Sequence, residues 1–248
     1  MERIDLNDVT FLIPFRIDSV IRLENLQVSL EVITKYFDTK ISVLEADEYN
    51  NTFAKRIMPK GVKYSFWKDN DPIFYRTKYI NVLAGAADTQ YVAIWDTDII
   101  ISPRQIIQTV ALLRKHSCDV VFPYDGRFYD TTPIIRNMFL KNKDLQFLER
   151  HIDKMLLPYG SQMVGGAIFI DKERYIAAGG ENEHFYGWGP EDWERVERWE
   201  KCGYQIMRSD GPLFHLSHTR DINGMHSSSL QKVNSYLELH KTKKSYAD

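Results

Sequence analysis

Apolar and polar positions along this chain follow two periods, one near two residues and one near 3.6. TFLIPF (10–15) is a short apolar run broken by Pro14, the pattern of a buried strand that ends at a loop. In IRLENLQVSLEVITKYF (21–37), Ile21, Leu23, Leu26, Leu30 and Ile33 recur at helical spacing, and KISVLEAD (40–47) follows as a second strand. Strand, helix and strand in that order predict a βαβ unit with a right-handed crossover and parallel strands.

The pattern continues. PIFYRTKYINVLAGAA (72–87) reads as a helix with Pro72 in its first turn and Asp71 as its cap. YVAIWDTDII (91–100) is a near-continuous apolar run, as expected of a third strand covered on both faces. Ser102 then Pro103 opens a helix over 102–117, and DVVFPY (119–124) is a fourth strand. Four α/β repeats predict an open, doubly wound sheet, whose ligands bind beyond the carboxyl ends of the strands. The second half is less regular: QMVGGAIFI (162–170) reads as a strand and GYQIMRSDGPLFHLSH (203–218) as one or two. GPEDWERVERW starts a helix with acids in its first turn, and residues 229–246 form a terminal helix that becomes basic. With no internal repeat or linker, the expectation is one domain.

Composition narrows the partners. The 248 residues are 44% hydrophobic and 27% charged, within the range of globular proteins. A net charge of −2 gives no reason to expect nucleic acid, so a phosphorylated ligand needs local cations or a metal. Cys118 and Cys202 form no CxxC pattern or disulfide framework, which suits a reducing compartment. No apolar run approaches the ~18 residues that span a bilayer, and the first residues lack a signal-peptide layout. The expected location is cytoplasmic, with peripheral contact at the inner membrane face through the basic KTKK (241–244) as one option and a solvated tail as the other.

Several groups can do chemistry. Asp96-Thr97-Asp98 leaves a strand end, and acids two apart on a strand share a face and can present oxygens to a hard cation; the alternative is that they cap the next segment. His215 and His218, at i and i+3, can converge on one ion, manganese or magnesium, unless His215 is a core residue and only His218 is exposed. Pro14-Phe15-Arg16 leaves the first strand at the same sheet edge. With Phe74 and Arg76 it offers rings and guanidinium groups that suit a base and a phosphate. GWGPEDWE (187–194) sets two indoles among three carboxylates, which suits a sugar face and its hydroxyls.

These motifs, in this order, resemble the GT-A fold glycosyltransferases, and most closely the β-1,4-galactosyltransferase-like family with its bacterial relatives. IPFR (13–16) resembles that family's donor-binding loop, and FYRTKYINV (74–82) its FNRAKLLNV-like helix. WDTDII resembles its metal-binding strand end. LPY (157–159) with VGGA (164–167) resembles the segment beside the donor sugar. FYGWGPEDWE resembles YWGWGGEDDD, and HLSHTRD (215–221) the closing metal-ligand segment. The resemblance implies an α/β GT-A fold with a mostly parallel mixed sheet flanked by helices. Residues 1–124 would then form the nucleotide-sugar half, and 125–248 the acceptor and metal-completing half. It implies Asp98, His215 and His218 as ligands of a divalent metal, Mn2+ with Mg2+ as the alternative. Pro14, Phe15, Arg16, Phe74, Arg76 and Asp96 become donor-nucleotide contacts, and Met163, Gly165 and Gly166 the donor-sugar pocket. Trp188 and Glu191 become acceptor contacts, and Asp192 the catalytic base. This chain departs from the family at Asp18, where a basic residue is common, and at Pro190, Trp193, Glu194 and Met163.

The expectation is therefore a metal-dependent inverting transferase that moves a hexose or N-acetylhexosamine from a UDP-sugar to a saccharide or lipid-linked saccharide acceptor, in bacterial surface polysaccharide or glycoconjugate synthesis. The unbranched Met163 leads to the expectation that UDP-GalNAc or UDP-GlcNAc is used at least as well as UDP-galactose. A non-catalytic nucleotide-sugar or carbohydrate-binding module is the competing reading. A nucleotidyltransferase is disfavoured because PFRIDSVIR has no glycine-rich phosphate loop.

Overall fold

The first strand, β1 (Ile4–Phe15), is longer than its apolar core because Leu6 and Val9 are also buried. It lies between two neighbouring strands, and its register against one of them shifts between Leu6 and Thr10. The computed structural model describes residues 2–50, 52–219 and 223–244, with side chains through residue 242. Arg220 and Asp221 of the HLSHTRD motif, the side chains of residues 243 and 244 in the basic tail, and the last two residues of the expected terminal helix lie outside the described residues.

Helix α1 (Val20–Tyr36) is capped by Ser19, whose hydroxyl accepts from Arg22 N, and leads into β2 (Phe37–Asp47), parallel to β1. The short α2 (Phe53–Ile57) and β3 (Lys63–Lys68) come next. Neither was expected: β3 lies at the sheet edge with most of its side chains exposed, and its alternation of Tyr64 and Phe66 is short and only half-buried.

Helix α3 covers Arg76–Ala86, four residues shorter at its start than the sequence pattern. Asp71 is not its cap: its carboxylate accepts from Ile73 N in a local turn, and the chain enters the helix at Tyr75. The expected strand over 91–100 is also two elements. β4 (Tyr91–Trp95) ends in the main sheet, the chain turns through 96–98, and β5 (Ile99–Ile100) joins a second sheet. A buried run on both sides of a turn has the same hydropathy as one buried strand, so periodicity could not separate them.

After α4 (Pro103–Arg114), capped by Ser102 as expected, come β6 (Val120–Phe122), β7 (Phe128–Asp130), α5 (Pro133–Asn142) and α6 (Leu145–Arg150). β8 covers Ala167–Asp171 alone, so Met163 to Gly166 form a loop rather than the start of a strand. α7 (Lys172–Ala177), α8 (Glu191–Lys201), β9 (Ile206–Arg208), β10 (Leu213–His215) and α9 (Ser229–Lys244) complete the chain.

The main sheet runs β3-β2-β1-β4-β8-β6-β9, parallel except where β8 pairs antiparallel with both β4 and β6. The small sheet runs β5-β10-β7. Phe11, Trp95 and Phe169 meet edge to face at 5.2, 5.6 and 6.3 Å across β1, β4 and β8, the middle of the core. A second apolar cluster, with Val28, Ile100, Phe139 and Phe214, ties the small sheet to α1 and α5. It holds β10, and with it His215, against the end of β4. Among the described residues no helix is long and apolar enough to cross a membrane.

Candidate active site

One cavity of about 380 Å³ opens where β1, β4 and β10 end, and all fifteen candidate residues line it. That size suits a small-molecule ligand. Pro14, Phe15 and Arg16 reach it from the end of β1, Phe74 and Arg76 from the entry to α3, and Asp96 and Asp98 from the turn after β4. Met163, Gly165 and Gly166 come from the loop before β8, Trp188, Glu191 and Asp192 from the start of α8, and His215 and His218 from β10 and the residues after it.

The two acids of the DTD triplet do not share a strand face. The turn that ends β4 sends Asp96 to Arg76, whose Nε and Nη2 donate to its Oδ1 at 3.1 and 2.7 Å. It sends Asp98 to the histidines instead. Asp98 Oδ2 lies 3.6 Å from His215 Nε2 and 3.2 Å from His218 Nε2, and the ligand atoms of the three residues all lie within 4.8 Å of one another. His215 Nδ1 is 2.9 Å from Asp130 Oδ1, and His218 Nδ1 is 2.9 Å from Thr219 O. With each ring neutral and its proton on Nδ1, both Nε2 atoms would offer lone pairs beside Asp98, the arrangement of imidazoles that hold a metal. One carboxylate and two imidazoles suit a divalent cation. Burial would lower the basicity of His215, but Asp98 and Asp130 outweigh it and raise its pKa to about 9. The same histidines hold the Asp98 carboxyl well below its usual range against the effect of burial.

His215 is buried, as its core reading required, yet it also faces Asp98; the two readings do not exclude each other.

On the nucleotide side, three donors of Arg16 go to the protein: Nε to Ala46 O, Nη1 to Asp71 O and Nη2 to Asp69 Oδ2, at 2.8, 2.7 and 2.9 Å. Its guanidinium carbon lies 5.7 Å from the centre of the Phe74 ring, so the pair forms a flat wall rather than a free cation. Arg76 lines the cavity and faces acids from two elements. Besides Asp96 it reaches toward α8, with Nη1 3.5 Å from Asp192 Oδ1 and 3.8 Å from Glu191 Oε1, and this nitrogen has no hydrogen bond.

The GWGPEDWE stretch turns at Gly187, whose φ of +76° and contact with Ile73 exclude a side chain. Helix α9 covers this turn: Gln231 Nε2 donates to Tyr186 O and Trp188 O at 2.8 and 2.9 Å, and the Trp188 indole meets the His226 ring at 4.8 Å. Glu191 is buried and Asp192 less so. Burial, reinforced by the neighbouring Asp192 charge, pushes the Glu191 pKa up to about 8. The two adjacent carboxyls therefore differ in environment. Glu191 keeps its proton near neutral pH, while Asp192 lies between two guanidinium groups, those of Arg76 and Arg195.

Beside Gly165, a Cβ would stand 2.6 Å from Asp192 Oδ2 and 3.9 Å from Met163 Cε, so the three residues form one wall. Gly166 has φ +87° and no room beside Leu213 and Ile99. Sequence reasoning missed Asp130, Glu181 and Arg195. Arg195 was readable as the i+3 partner of Asp192 on a helix. Asp130 was not, because only the β7–β10 register sets it opposite His215.

Comparison with known proteins bears on the fold. The catalytic domain of Drosophila β1,4-galactosyltransferase 7, solved with xylobiose, superposes with a TM-score of 0.56 over 97% of this chain and 81% of that one, at 17% identity. The glucosyl-3-phosphoglycerate synthase of Mycobacterium tuberculosis, solved with Mn2+, UDP and phosphoglyceric acid, gives 0.57 over 93% and 78%, at 13% identity. The fold is GT-A. In sequence, a family model described as the N-terminal domain of galactosyltransferase matches residues 148–223, the part of this GT-A fold that carries Met163 to Gly166, Asp192 and both histidines. The mouse and human β-1,4-galactosyltransferase 7 are each 26% identical over 140 residues, 56% of this chain. The match spans about a third of the length of those relatives, 33%.

Proposed function

We propose that this protein is a metal-dependent inverting glycosyltransferase that moves a hexose or N-acetylhexosamine from a UDP-sugar to a saccharide acceptor. The observation that carries the reading is one cavity lined both by a converging Asp98, His215 and His218 set and by a paired Glu191 and Asp192. The likeness to galactosyltransferases supports a galactose-type donor, and the presence of UDP and Mn2+ in a neighbour's structure supports the nucleotide and the ion.

Asp98, His215 and His218 would hold the ion, Mn2+ in this reading, which would supply positive charge to offset that of the departing diphosphate. Phe74 and Arg16 give the base a flat wall, and Met163 with Gly165 and Gly166 borders the donor sugar. Trp188 gives the acceptor ring an apolar face. As the acceptor oxygen bonds to C1 of the donor sugar, its proton passes to the Asp192 carboxylate, and the bond from C1 to the diphosphate oxygen breaks with its electron pair. Attack opposite the leaving group inverts C1. Proton abstraction by a positioned carboxylate contributes roughly 10²–10⁴-fold. Neutral Glu191 is then a hydrogen-bond donor to the acceptor rather than a second base.

The acceptor belongs to a surface polysaccharide or glycoconjugate pathway in this reading, with a lipid-linked saccharide among its forms and the protein acting from the cytoplasm. The test is a screen of UDP-galactose, UDP-GalNAc, UDP-GlcNAc and UDP-glucose with Mn2+, read by UDP release and by thermal stabilisation, without acceptor and with sugars including xylobiose. Stabilisation by UDP-sugars together with UDP release supports the transferase. Stabilisation with no release under any acceptor would favour the binding-module reading.

A further inference from the structure

Behind the acidic pair lies a fully buried ion pair. The side chains of Arg195 and Glu181 are each 1% exposed. Arg195 Nη1 donates to both Glu181 oxygens at 2.9 Å, and Nη2 donates to Asp192 Oδ1 at 2.6 Å. Arg76 Nη1 stands 3.5 Å from that same oxygen. Both cations therefore lie on Oδ1, while Oδ2 lies over Gly165 and accepts no hydrogen bond among the described residues. A buried ion pair is a poor way to gain stability, since apolar side chains of the same volume often serve as well or better. Its charge-assisted hydrogen bonds, two from Nη1 to Glu181 and one from Nη2 to Asp192, can instead fix the direction of a carboxylate.

We propose that Arg195 and Glu181 are positioning residues for Asp192, an inference that rests on Asp192 being the base. Arg195 holds Oδ1 so that Oδ2 is the oxygen presented to the acceptor hydroxyl. Glu181 pairs with the same guanidinium and offsets its charge beside Asp192. Arg195 packs on Trp199 of its own helix, with 5.4 Å between guanidinium carbon and ring centre, which fixes the arginine in turn.

The other charged and titratable groups around Asp192 are Arg76 from α3, Asp96 from the end of β4, the adjacent Glu191, and Tyr124 beyond β6. All four stay in place in the variants that test the inference. These are Arg195→Met, Glu181→Gln and the double variant, each checked for folding by circular dichroism. The carboxyl ¹³C resonance of Asp192, identified by its loss in Asp192→Asn, is titrated in the protein alone. Removing a guanidinium raises the midpoint by about one pH unit or more, and removing the Glu181 charge lowers it. The double variant returns close to the wild type.

Hydrolysis of UDP-galactose with Mn2+, in which water takes the acceptor's place, gives the second readout. Its kcat falls by about tenfold or more in Arg195→Met and in the double variant, with KM for the donor within about twofold, because orientation is lost while donor contacts remain. The opposite midpoint shifts are what a merely structural role would not produce. Unmoved midpoints in the two single variants, or wild-type kcat in the double variant, would overturn the inference. Where a single variant does not fold, the charge-neutral double variant decides through its kcat. Wild-type protein without hydrolysis would count against the transferase reading instead, and the titration would still decide whether Arg195 and Glu181 govern Asp192.

Discussion

A Cβ built on Gly165 would stand 2.6 Å from Oδ2 of Asp192, so a glycine in the loop before β8 and a carboxylate at the start of α8 share one surface. The two residues are 27 positions apart in sequence and come from different elements of the fold. A backbone this close leaves no space for a side chain between the loop and the carboxylate.

Gly165→Ala tests that contact. Gly165 has no positive φ, so alanine brings no backbone strain, and the carboxylate must move instead. Turnover falls by about tenfold or more through misplacement, while the melting temperature changes by no more than a few degrees. Gly166→Ala behaves differently: φ +87° and a Cβ 3.0 Å from Leu213 predict a loss of roughly 1–2 kcal/mol or more in stability. Melting curves and UDP release on both variants separate the two effects.

Asp192→Asn leaves UDP-sugar affinity nearly unchanged and lowers turnover by roughly 10²-fold or more, since only proton transfer is lost. Calorimetry for the donor and UDP release for turnover make the comparison. Retained turnover would move the base to Glu191.

Asp130→Asn tests the support of the metal set. Its carboxylate lies against His215 Nδ1 at 2.9 Å, and losing it weakens control of which ring nitrogen carries the proton. Mn2+ affinity falls by about 10–100-fold. Calorimetric titration of the protein with Mn2+ alone measures it, with His218→Ala as the reference for a lost ligand. Affinity equal to the wild type in both would remove the metal from this site.

Glu191→Gln should stabilise the free protein in a pH-dependent way. Burial first, and the Asp192 charge second, raise the Glu191 pKa from the ordinary 4.5 to about 8 in the folded state. Below about pH 4.5 the carboxyl is protonated in both states and the substitution changes little. Between about 4.5 and 8 the unfolded chain releases a proton that the native state keeps, so the wild type loses stability as pH rises and glutamine does not. The melting-temperature advantage of Glu191→Gln grows across that window and levels off above it. A constant difference across pH would mean that Glu191 ionises normally.

Met163→Tyr tests donor choice. Met163 borders the same wall as Gly165, and added bulk there penalises a 2-acetamido group more than a hydroxyl, by about 1–3 kcal/mol. Competition between UDP-GalNAc or UDP-GlcNAc and UDP-galactose in the wild type and variant reads the change. An unchanged ratio would place the donor sugar away from Met163.

Much of the framework was legible in the residues themselves. Pro14 at the end of an apolar run, Ser102 before Pro103, and helical spacing over 21–37 marked β1, α4 and α1, because buried runs and caps are local signals. The acids of GPEDWE marked the start of α8 for the same reason. What tertiary structure decided was direction and partnership. Hydropathy could not show that YVAIWDTDII turns between two sheets, since burial on both sides of the turn looks the same as one buried strand. That turn sends Asp96 to Arg76 and Asp98 to two histidines, more than a hundred residues away in sequence. Asp130 meets His215 only through the register of two short strands, and Glu181 meets Arg195 only because the loop after α7 folds behind α8. Local sequence sets which residues can cap, bury or ligate; which oxygen faces which nitrogen depends on contacts between segments that no local period records.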